Sequence, residues 1–354
     1  MQIPLPSMVF DMGASSIKLV KKSIQNPNHI EILHQIPTPE HAIKNGTIQD
    51  IDSIQDILRP YIQTLSLRKH FHRAVLALGG NSLIMKRVLF PEQQIENLAD
   101  TILFDAEQYF QHDLDDLYFD YFVQHELHRD NQIPVVLVGA KKSIVEQHVS
   151  LIRSIGLKIG IVDCSSFSIP NLLSYMQLPM QGYCLSVHCG ASSTQLVILQ
   201  DGHYLYSRDI PIAGDLITSK LAEMGGLSIF EAELLKKQTT FSSEEQKAWI
   251  ENSIQSVCRQ LFHEMKMTLE FYFENANQEK NKSISRIYLS GGGGLVNGFA
   301  SWMADFFSAP VSWLDPFSLF SLPNDDIASQ EGKNGVRFSI AAGLAIRPCM
   351  YQLG

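Results

Sequence analysis

The amino-acid sequence predicts an α/β protein made of two related halves, with a smaller module inserted into the first half. A ten-residue segment that begins at Asp11, DMGASSIKLV, recurs at His188 as HCGASSTQLV. The two copies share six identical positions and are offset by 177 residues in a chain of 354. Each copy lies between apolar runs, so both predict a strand, a Gly-Ser turn and a second strand. A chance likeness of two ordinary hairpin turns is the alternative.

Length, charge and cysteine content narrow the class of protein. A chain of 354 residues exceeds the usual single core of about 100 to 200 residues, which predicts two or more subdomains. The formal net charge of −9 disfavours nucleic acid or an anionic membrane as the main partner, because both attract clustered Lys and Arg. The five cysteines include no C-x-x-C pair and indicate reduced thiols. With no apolar run near the roughly 18 residues of a spanning helix, we expect a cytoplasmic protein.

The first half is expected to contain three short strands, an amphipathic helix and a buried strand. Ile54, Leu58 and Ile62 follow helical spacing after Asp50 or Asp52, either of which could cap the helix. The strands are expected at residues 8–10, 17–21, 29–35 and 74–78.

A change of pattern after Gly79-Gly80 predicts an inserted βαββα module over residues 80–157. Its elements are expected at 83–90, 91–110, 118–124, 135–138 and 141–155. The domain boundaries follow from this: 1–79 for the first part of the first half, 80–157 for the module, 158–182 and 336–354 for the rest of the first half, and 183–335 for the second half.

The second half repeats the strand order of the first. Before it, a strand at 157–162 leads into a helix that Asp163 or Ser165 could cap. Strands at 194–200 and 203–210, a long helix at 244–276 and a strand at 287–290 follow, and a polar segment at 321–334 indicates a mobile loop.

Two kinds of glycine-rich turn predict a phosphate-binding site. Backbone amides and hydroxyls in a tight turn form a concave anion site, and two such turns facing each other could hold a polyphosphate. A tetraglycine after the strand at 287–290 would open a helix, whose N-terminus favours phosphate. Neither the P-loop spacing nor G-x-G-x-x-G occurs. The predicted cofactor contacts are Gly13, Ala14, Ser15, Ser16, Lys18, Gly190, Ala191, Ser192, Ser193, Gly291, Gly292, Gly293 and Gly294.

With these motifs in order, the chain resembles the actin/Hsp70/FtsA-like ATPase fold and, within it, the PilM family of type IV pilus assembly proteins. The resemblance spans nearly the whole chain and implies duplicated ribonuclease H-like halves around a nucleotide cleft, with an FtsA/PilM-type subdomain inserted. The segment GLSIFEAELLK at residues 226–236 is similar to the family's helix whose Glu and Lys meet ribose and adenine, here Glu233 and Lys236. ATP or ADP with Mg²⁺ is the implied cofactor.

Asp11 and Lys18 are the residues expected to bind metal and phosphate, and one difference from the family, at His188, limits the expected hydrolysis. The Asp11 carboxylate could hold a hydrated Mg²⁺, or only cap its own turn. Lys18 could reach a phosphate oxygen, or be an ordinary strand lysine. His188 stands where the family's second loop usually has Asp. Losing that carboxylate weakens the charge organisation that phosphoryl transfer needs, so we expect a nucleotide-bound clamp with slow or absent turnover and assign no catalytic residue.

The resemblance also implies a partner, and two rival functions stay open. In the PilM family, a groove between the first subdomain and the module takes the cytoplasmic N-terminus of the inner-membrane protein PilN, and the strand at 83–90 is expected nearby. An FtsA-like division or filament scaffold is one alternative, although this chain shows no basic amphipathic C-terminal helix. A small-molecule kinase, for which Asp209 is the nearest candidate base, is the other.

Overall fold

A computed structural model describes most of the chain. The described residues are 7–23, 25–26, 28–64, 73–92, 97–110, 113–128, 130–275, 282–323 and 334–350. The predicted mobile loop at 321–334 falls largely on residues 324–333, and the predicted end of the long helix falls on Ala276; both lie outside the described residues.

The first half begins as the sequence predicts, with slightly longer strands. Its elements are β1 (Ser7–Met12), β2 (Ser16–Lys22), β3 (Ile30–Pro37), a small hairpin of β4 (Ile43–Lys44) and β5 (Thr47–Ile48), α1 (Ile51–Thr64) and β6 (Arg73–Leu78). Asp50 caps α1, since its Oδ1 accepts a hydrogen bond from the Ser53 amide at 3.1 Å. Ile54, Leu58 and Ile62 are buried, which confirms the helical stripe.

The inserted module has the predicted order of elements and its own small core. It contains β7 (Leu83–Pro91), α2 (Leu98–Phe110), β8 (Leu117–Val123), β9 (Gln132–Lys141) and α3 (Lys142–Ser154). Its antiparallel sheet has the order β7-β9-β8. One face of this sheet packs on α2 through Phe90, Phe110 and Leu137. β7 lies beside a strand of the second half, whereas β8 turns the ring of Phe122 toward Phe167 of the first half.

The rest of the first half and the second half follow in the predicted order. The elements are β10 (Lys158–Cys164), α4 (Ser165–Tyr175), β11 (Tyr183–Cys189), β12 (Thr194–Gln200), β13 (His203–Ile210), α5 (Gly214–Gly225), α6 (Ile229–Lys236), α7 (Glu244–Asn275), β14 (Ile284–Ser290), α8 (Phe299–Phe307), β15 (Val311–Trp313) and α9 (Ser339–Met350).

The two main sheets have the same topology, which confirms the duplication. The first has the order β10-β6-β1-β2-β3 and the second has the order β15-β14-β11-β12-β13. In both, the central strand pairs antiparallel with the next strand and parallel with a later one. Asp11 lies opposite Lys18, and His188 lies opposite Gln195, so the repeated segments occupy equivalent places.

The molecule is layered, with α4 and α9 between the two sheets. Helices α1 and α3 cover the outer face of the first sheet, and α5, α7 and α8 cover the outer face of the second. The inner faces of both sheets contribute to one cluster with α4 and α9, for example Val9 and Val75 from the first sheet and Leu199 from the second. The two halves therefore share one apolar layer through these helices.

Two details of the first half differ from the sequence expectations. Neither Asp163 nor Ser165 caps α4: Asp163 pairs with Arg347 of α9, and the Ser165 hydroxyl accepts a hydrogen bond from Gln195 of the second half. Helix α3, which the sequence assigns to the module, packs on both parts: Leu151 and Ile152 lie in the core of the first half, whereas Val145 and Val149 pack beside Ala140 of the module. The domain limit at 157 stays a prediction.

No helix in the described part of the chain is long and apolar enough to cross a bilayer.

The crossing of α4 and α9 yields a prediction about stability. A Cβ on Gly343 would lie 2.0 Å from the Ser168 carbonyl oxygen, so these helices touch through backbone. Gly343→Ala should lower the free energy of unfolding by about 2 kcal/mol, because an added methyl overpacks a site that cannot yield. Denaturant titration measures this value. Gly292→Ala is the matched control, since its Cβ would meet only the Arg337 side chain, at 3.7 Å. Equal unfolding midpoints for the two variants would contradict the close crossing.

Candidate functional site

Both Gly-Ser turns line one cavity of about 1150 Å³ between the two halves. They therefore face each other across the cleft, as the repeat predicts. The predicted site residues that line this cavity are Asp11, Gly13, Ala14, Ser15, Ser16, Lys18, Gly190, Ala191, Ser192, Ser193, Glu233, Lys236, Gly292 and Gly293. Gly291 and Gly294 do not line it.

Glycine is required in both turns because backbone atoms approach closely. A Cβ on Gly13 would lie 2.6 Å from the Ser16 carbonyl oxygen, and a Cβ on Gly190 would lie 3.0 Å from that of Ser193. The second turn is also held against α5, since the Gly190 oxygen accepts a hydrogen bond from the Gly214 amide at 3.2 Å. Such tight turns leave the cavity open to a bulky anionic group.

Asp11 and Lys18 form a cross-strand pair at the floor of the first turn. Lys18 Nζ lies 3.4 Å from Asp11 Oδ2, and both side chains are nearly buried. Asp11 Oδ2 nevertheless receives no hydrogen bond from any described group. A buried carboxylate oxygen without a donor is costly, and a hydrated cation in the cavity would satisfy it. The residues present therefore fit a Mg²⁺ ion that keeps most of its waters.

His188 occupies the place in the second half that Asp11 occupies in the first. Its Nδ1 lies 2.9 Å from the Ser290 hydroxyl. Burial and the positive charge of Lys18 lower the pKa of His188 to about 3, so the imidazole is neutral at physiological pH. The second turn therefore supplies neither a carboxylate nor a cation at this position.

Glu233 and Lys236 form a half-buried pair on α6 that lines the cavity. Lys236 Nζ donates to the Gly214 carbonyl oxygen at 3.1 Å and to the Thr218 hydroxyl at 2.8 Å, and contacts the Glu233 carboxylate. Burial opposes ionisation of Glu233, but hydrogen bonds from Lys236 and Thr218 lower its pKa to about 2. A capping box between Ser228 and Glu231 fixes the start of α6.

The tetraglycine does not open a helix. Gly292–Leu295 form a 3₁₀ turn, and α8 starts only at Phe299. The expected helix N-terminus beside the phosphates is therefore absent from this turn. Gly293 instead packs on the second Gly-Ser turn, where a Cβ would lie 2.3 Å from the Gly190 carbonyl oxygen. Gly291 has φ +88°, a left-handed conformation that favours glycine, and a Cβ there would collide with the Cys189 backbone, so it serves both the turn and the packing on the second hairpin.

The structure adds Arg337, which the sequence analysis missed. Its side chain lies over Gly292, its Nε is buried without a hydrogen-bond partner among the described groups, and it lines the cavity. No local motif could have identified it, because it follows the polar segment at 321–334 and precedes α9. Its planar cation therefore adds to the charged lining of the cavity.

Asp209 also lines the cavity, but its oxygens are engaged. Oδ2 accepts a hydrogen bond from the Gly80 amide at 3.1 Å, and Oδ1 lies 3.4 Å from Gln195 Nε2. Burial raises the pKa of this carboxyl group. Asp209 therefore joins the second half to the start of the module.

Comparison with known proteins agrees with this geometry. A family model described as type IV pilus assembly protein PilM matches residues 10–349. The chain is similar to a solved PilM-PilN type IV pilus biogenesis complex, at 23% identity over 97% of this chain and 98% of that one, with a TM-score of 0.79.

Two further solved structures share the fold at lower identity. They are the ethanolamine utilization protein EutJ from Carboxydothermus hydrogenoformans (14% identity, 98% and 91% coverage, TM-score 0.56) and MreB5 of Spiroplasma citri bound to ADP (12%, 98% and 97%, TM-score 0.56). These likenesses confirm the predicted actin-like fold. Because the family model covers nearly the whole chain, this protein belongs to the family of type IV pilus assembly proteins PilM.

Proposed function

We propose that this protein is a cytoplasmic scaffold of the type IV pilus inner-membrane platform that holds ATP or ADP with Mg²⁺ as a structural clamp. The observation that carries the proposal is the shared cavity, into which two equivalent anion-binding turns and the Glu233–Lys236 pair converge. A nucleotide in this cavity would contact both halves and fix their relative angle. The solved MreB5 of this fold holds ADP, which supports the choice of ligand.

The cavity offers a separate place for each part of a nucleotide. The two turns, Lys18 and Asp11 surround the polyphosphate end, where Asp11 would hold a hydrated Mg²⁺ and the ion would offset phosphate charge. Glu233 and Lys236 lie at the ribose end. The Arg337 guanidinium, with a free buried Nε, is suited to stack on the base.

Nucleotide uptake tests this assignment through two variants. Lys18→Met should weaken ATP binding about tenfold by removing a charge-assisted contact, but should leave adenosine binding nearly unchanged. Arg337→Met should weaken ATP and adenosine alike, because it acts on the base. Isothermal titration calorimetry with Mg²⁺ present measures both. The absence of adenine nucleotide uptake by the unmodified protein would overturn the proposed function, and equal losses of adenosine binding in both variants would overturn the assignment of the two ends.

We expect slow or absent hydrolysis because only one half of the cleft carries a carboxylate at the repeated position. His188 is neutral and cannot hold or position a metal-bound water as a carboxylate does. Asp209, the base that a small-molecule kinase would require, is held by Gly80 and Gln195 instead, and this disfavours the kinase alternative.

Phosphate release measures turnover directly. The unmodified protein should release phosphate from Mg-ATP well below the roughly 1 s⁻¹ lower end of typical enzyme turnover. His188→Asp should raise that rate, since it restores a carboxylate beside Lys18 at the position equivalent to Asp11. His188→Asn, which changes the ring without adding charge, is the matched control. Ordinary enzyme rates in the unmodified protein, or an equal gain in both variants, would contradict the argument.

The proposed partner is the cytoplasmic N-terminus of a PilN-like membrane protein, which would keep this scaffold peripheral to the inner membrane. The similar solved structure is a complex of PilM with PilN, which supports this partner. The strand at 83–90, expected near the groove, lies beside β13 of the second half. We therefore place the groove along β8, whose described pairing is with β9 only and whose other edge is open.

The face of β8 toward the first half has a definite chemistry. Tyr118, Asp120 and Phe122 alternate as exposed residues of this strand. The Tyr118 hydroxyl donates to Glu146 of α3 at 2.7 Å. Burial, Asp163 and, more weakly, Asp120 raise the pKa of the Cys164 thiol, which places the Asp120 carboxylate near the end of β10. An extended peptide with apolar residues around a basic one fits this alternation.

Charge reversal tests the groove. Asp120→Lys should weaken binding of a synthetic N-terminal peptide of the host's PilN-like protein about tenfold, because it replaces attraction with repulsion at the centre of β8. Fluorescence anisotropy with labelled peptide measures the affinity. Asp116→Lys is the control, since it makes the same charge change in the exposed turn before β8. Unchanged affinity in Asp120→Lys would place the partner elsewhere.

A further inference from the structure

The inserted module is attached to the second half as well as to the first, although the chain connects it only to the first. Strand β13 of the second half makes the contacts. Near its C-terminal end, Asp209 Oδ2 accepts a hydrogen bond from the Gly80 amide, at the root of the module. Near its N-terminal end, Tyr204 contacts residues of β7 and of the segment after β8. One strand therefore joins the cavity wall to the body of the module.

Gln124 makes the strongest of these contacts. It is 3% exposed, and its Nε2 donates to the Tyr204 carbonyl oxygen at 2.7 Å. Its Oε1 accepts from Arg87 Nε at 2.8 Å, and its own amide donates to the Pro134 carbonyl oxygen at 2.9 Å. A buried amide held at both ends resists displacement, because breaking either bond leaves a desolvated polar group. This contact spans the module and the second half.

Further contacts of Tyr204 and Leu127 strengthen the same interface between the module and the second half. The Tyr204 hydroxyl lies 2.9 Å from Ser207 Oγ and 3.9 Å from Met85 Sδ of β7. Leu127, in the turn after β8, packs against the core of the second half. The module thus contributes both a strand and a turn to this interface.

The contacts between the module and the first half differ in kind. A small buried cluster that includes Leu78 and Ala140 lies at the root of the module. Beyond that root, β8 meets the first half through exposed residues: Tyr118 is 46% exposed and Phe122 is 38% exposed. Gly80, at the connection, has φ +62°, and a Cβ there would lie 2.6 Å from the Asn45 carbonyl oxygen, so the root of the module is close to the first half. The module is therefore held to the second half along β13 and to the first half at its root and through Val136, whereas the β8 edge presents exposed residues to the first half.

We propose that the module moves with the second half, so that closure of the cleft changes the width of the groove between β8 and the first half. Asp209 and Tyr204 lie on β13, so a rotation of the second half would also move Gly80 and Gln124, to which they are hydrogen-bonded. The inference rests on the proposed function, because a nucleotide is the ligand that would close the cleft. On this inference, the position of the module depends on whether the cleft holds a ligand, and the width of the groove changes with it.

Distance measurements between spin labels test this coupling in the full chain. One label is placed at Phe104→Cys on α2, which is 90% exposed. It is paired either with Asp56→Cys on α1 or with Met267→Cys on α7, in a Cys349→Ser background; the other four cysteines are buried. Mg-ATP should shift the distance from the module to the first half and leave the distance from the module to the second half within its unliganded width.

A matched pair of glutamine variants isolates the contact. Gln124→Ala removes the bond to Tyr204 and should abolish most of the ATP-induced shift relative to the first half, while broadening the distances to the second half. Gln147→Ala is the control, since it removes a bond of the same length, 2.7 Å, to the Ile48 carbonyl oxygen within the first half. Thermal unfolding checks that both variants fold, and neither residue lines the cavity.

The outcomes separate the two proposals. Calorimetry on the labelled proteins measures ATP uptake. Uptake with the expected pattern supports the inference. Uptake with an unchanged distance from module to first half, or with equal shifts in Gln124→Ala and Gln147→Ala, overturns it and leaves the proposed function standing. Failure to take up nucleotide overturns both.

Discussion

The layer formed by α4 and α9 between the two sheets is the constraint on which the site depends. These helices bury one face against each sheet, so the two halves share a single apolar layer. With the halves joined through this layer, the turns of the β1-β2 and β11-β12 hairpins open to the same cavity. Close backbone contact at Gly343 leaves little room for the helices to separate.

The duplicated halves differ in charge although they share geometry. The first hairpin carries the Asp11–Lys18 pair, and the equivalent places in the second carry His188 and Gln195, which are uncharged. A duplicated turn keeps its shape because glycine and short polar residues determine it. Its charges depend on side chains that the shape does not require. Under the proposed function, this asymmetry would separate a site able to hold a nucleotide from one arranged to hydrolyse it.

Repetition made most of the fold predictable from the sequence, because two copies of one segment must pair in the same way. Helical spacing identified the buried stripe of α1, and the long helix and the order of elements in the module were also predicted. Contacts between residues that are far apart in the sequence could not be predicted in this way. Gly291 and Gly293 belong to one glycine run, and both pack on the backbone of the second hairpin, at Cys189 and Gly190, which no local pattern indicates. Arg337 has no local pattern and enters the site only because α9 returns to the cleft.

The strands of the module show the same limit. β7 and β8 have similar apolar patterns, so the sequence could not tell which faces the first half. In the structure β7 lies beside β13, and Gln124 and Leu127 hold the turn after β8 against the second half. Asp163 is a second example of a long-range contact. Its position in the sequence predicts a cap for α4, but it pairs with Arg347 near the C-terminal end of the described chain.

The balance of charge in the cavity links the metal to the nucleotide. Among the described residues, four cationic side chains line it, Lys18, Lys236, Lys237 and Arg337, and they face four carboxyl groups, Asp11, Asp209, Asp215 and Glu233. Lys236 is already committed to Glu233, Thr218 and Gly214. The lining therefore has little surplus positive charge for a polyphosphate, and Lys18 must divide its charge between Asp11 and the ligand. A divalent cation carried in with the phosphates would neutralise both the ligand and the Asp11 oxygen that receives no hydrogen bond, so we expect the proposed nucleotide to bind tightly only together with its metal.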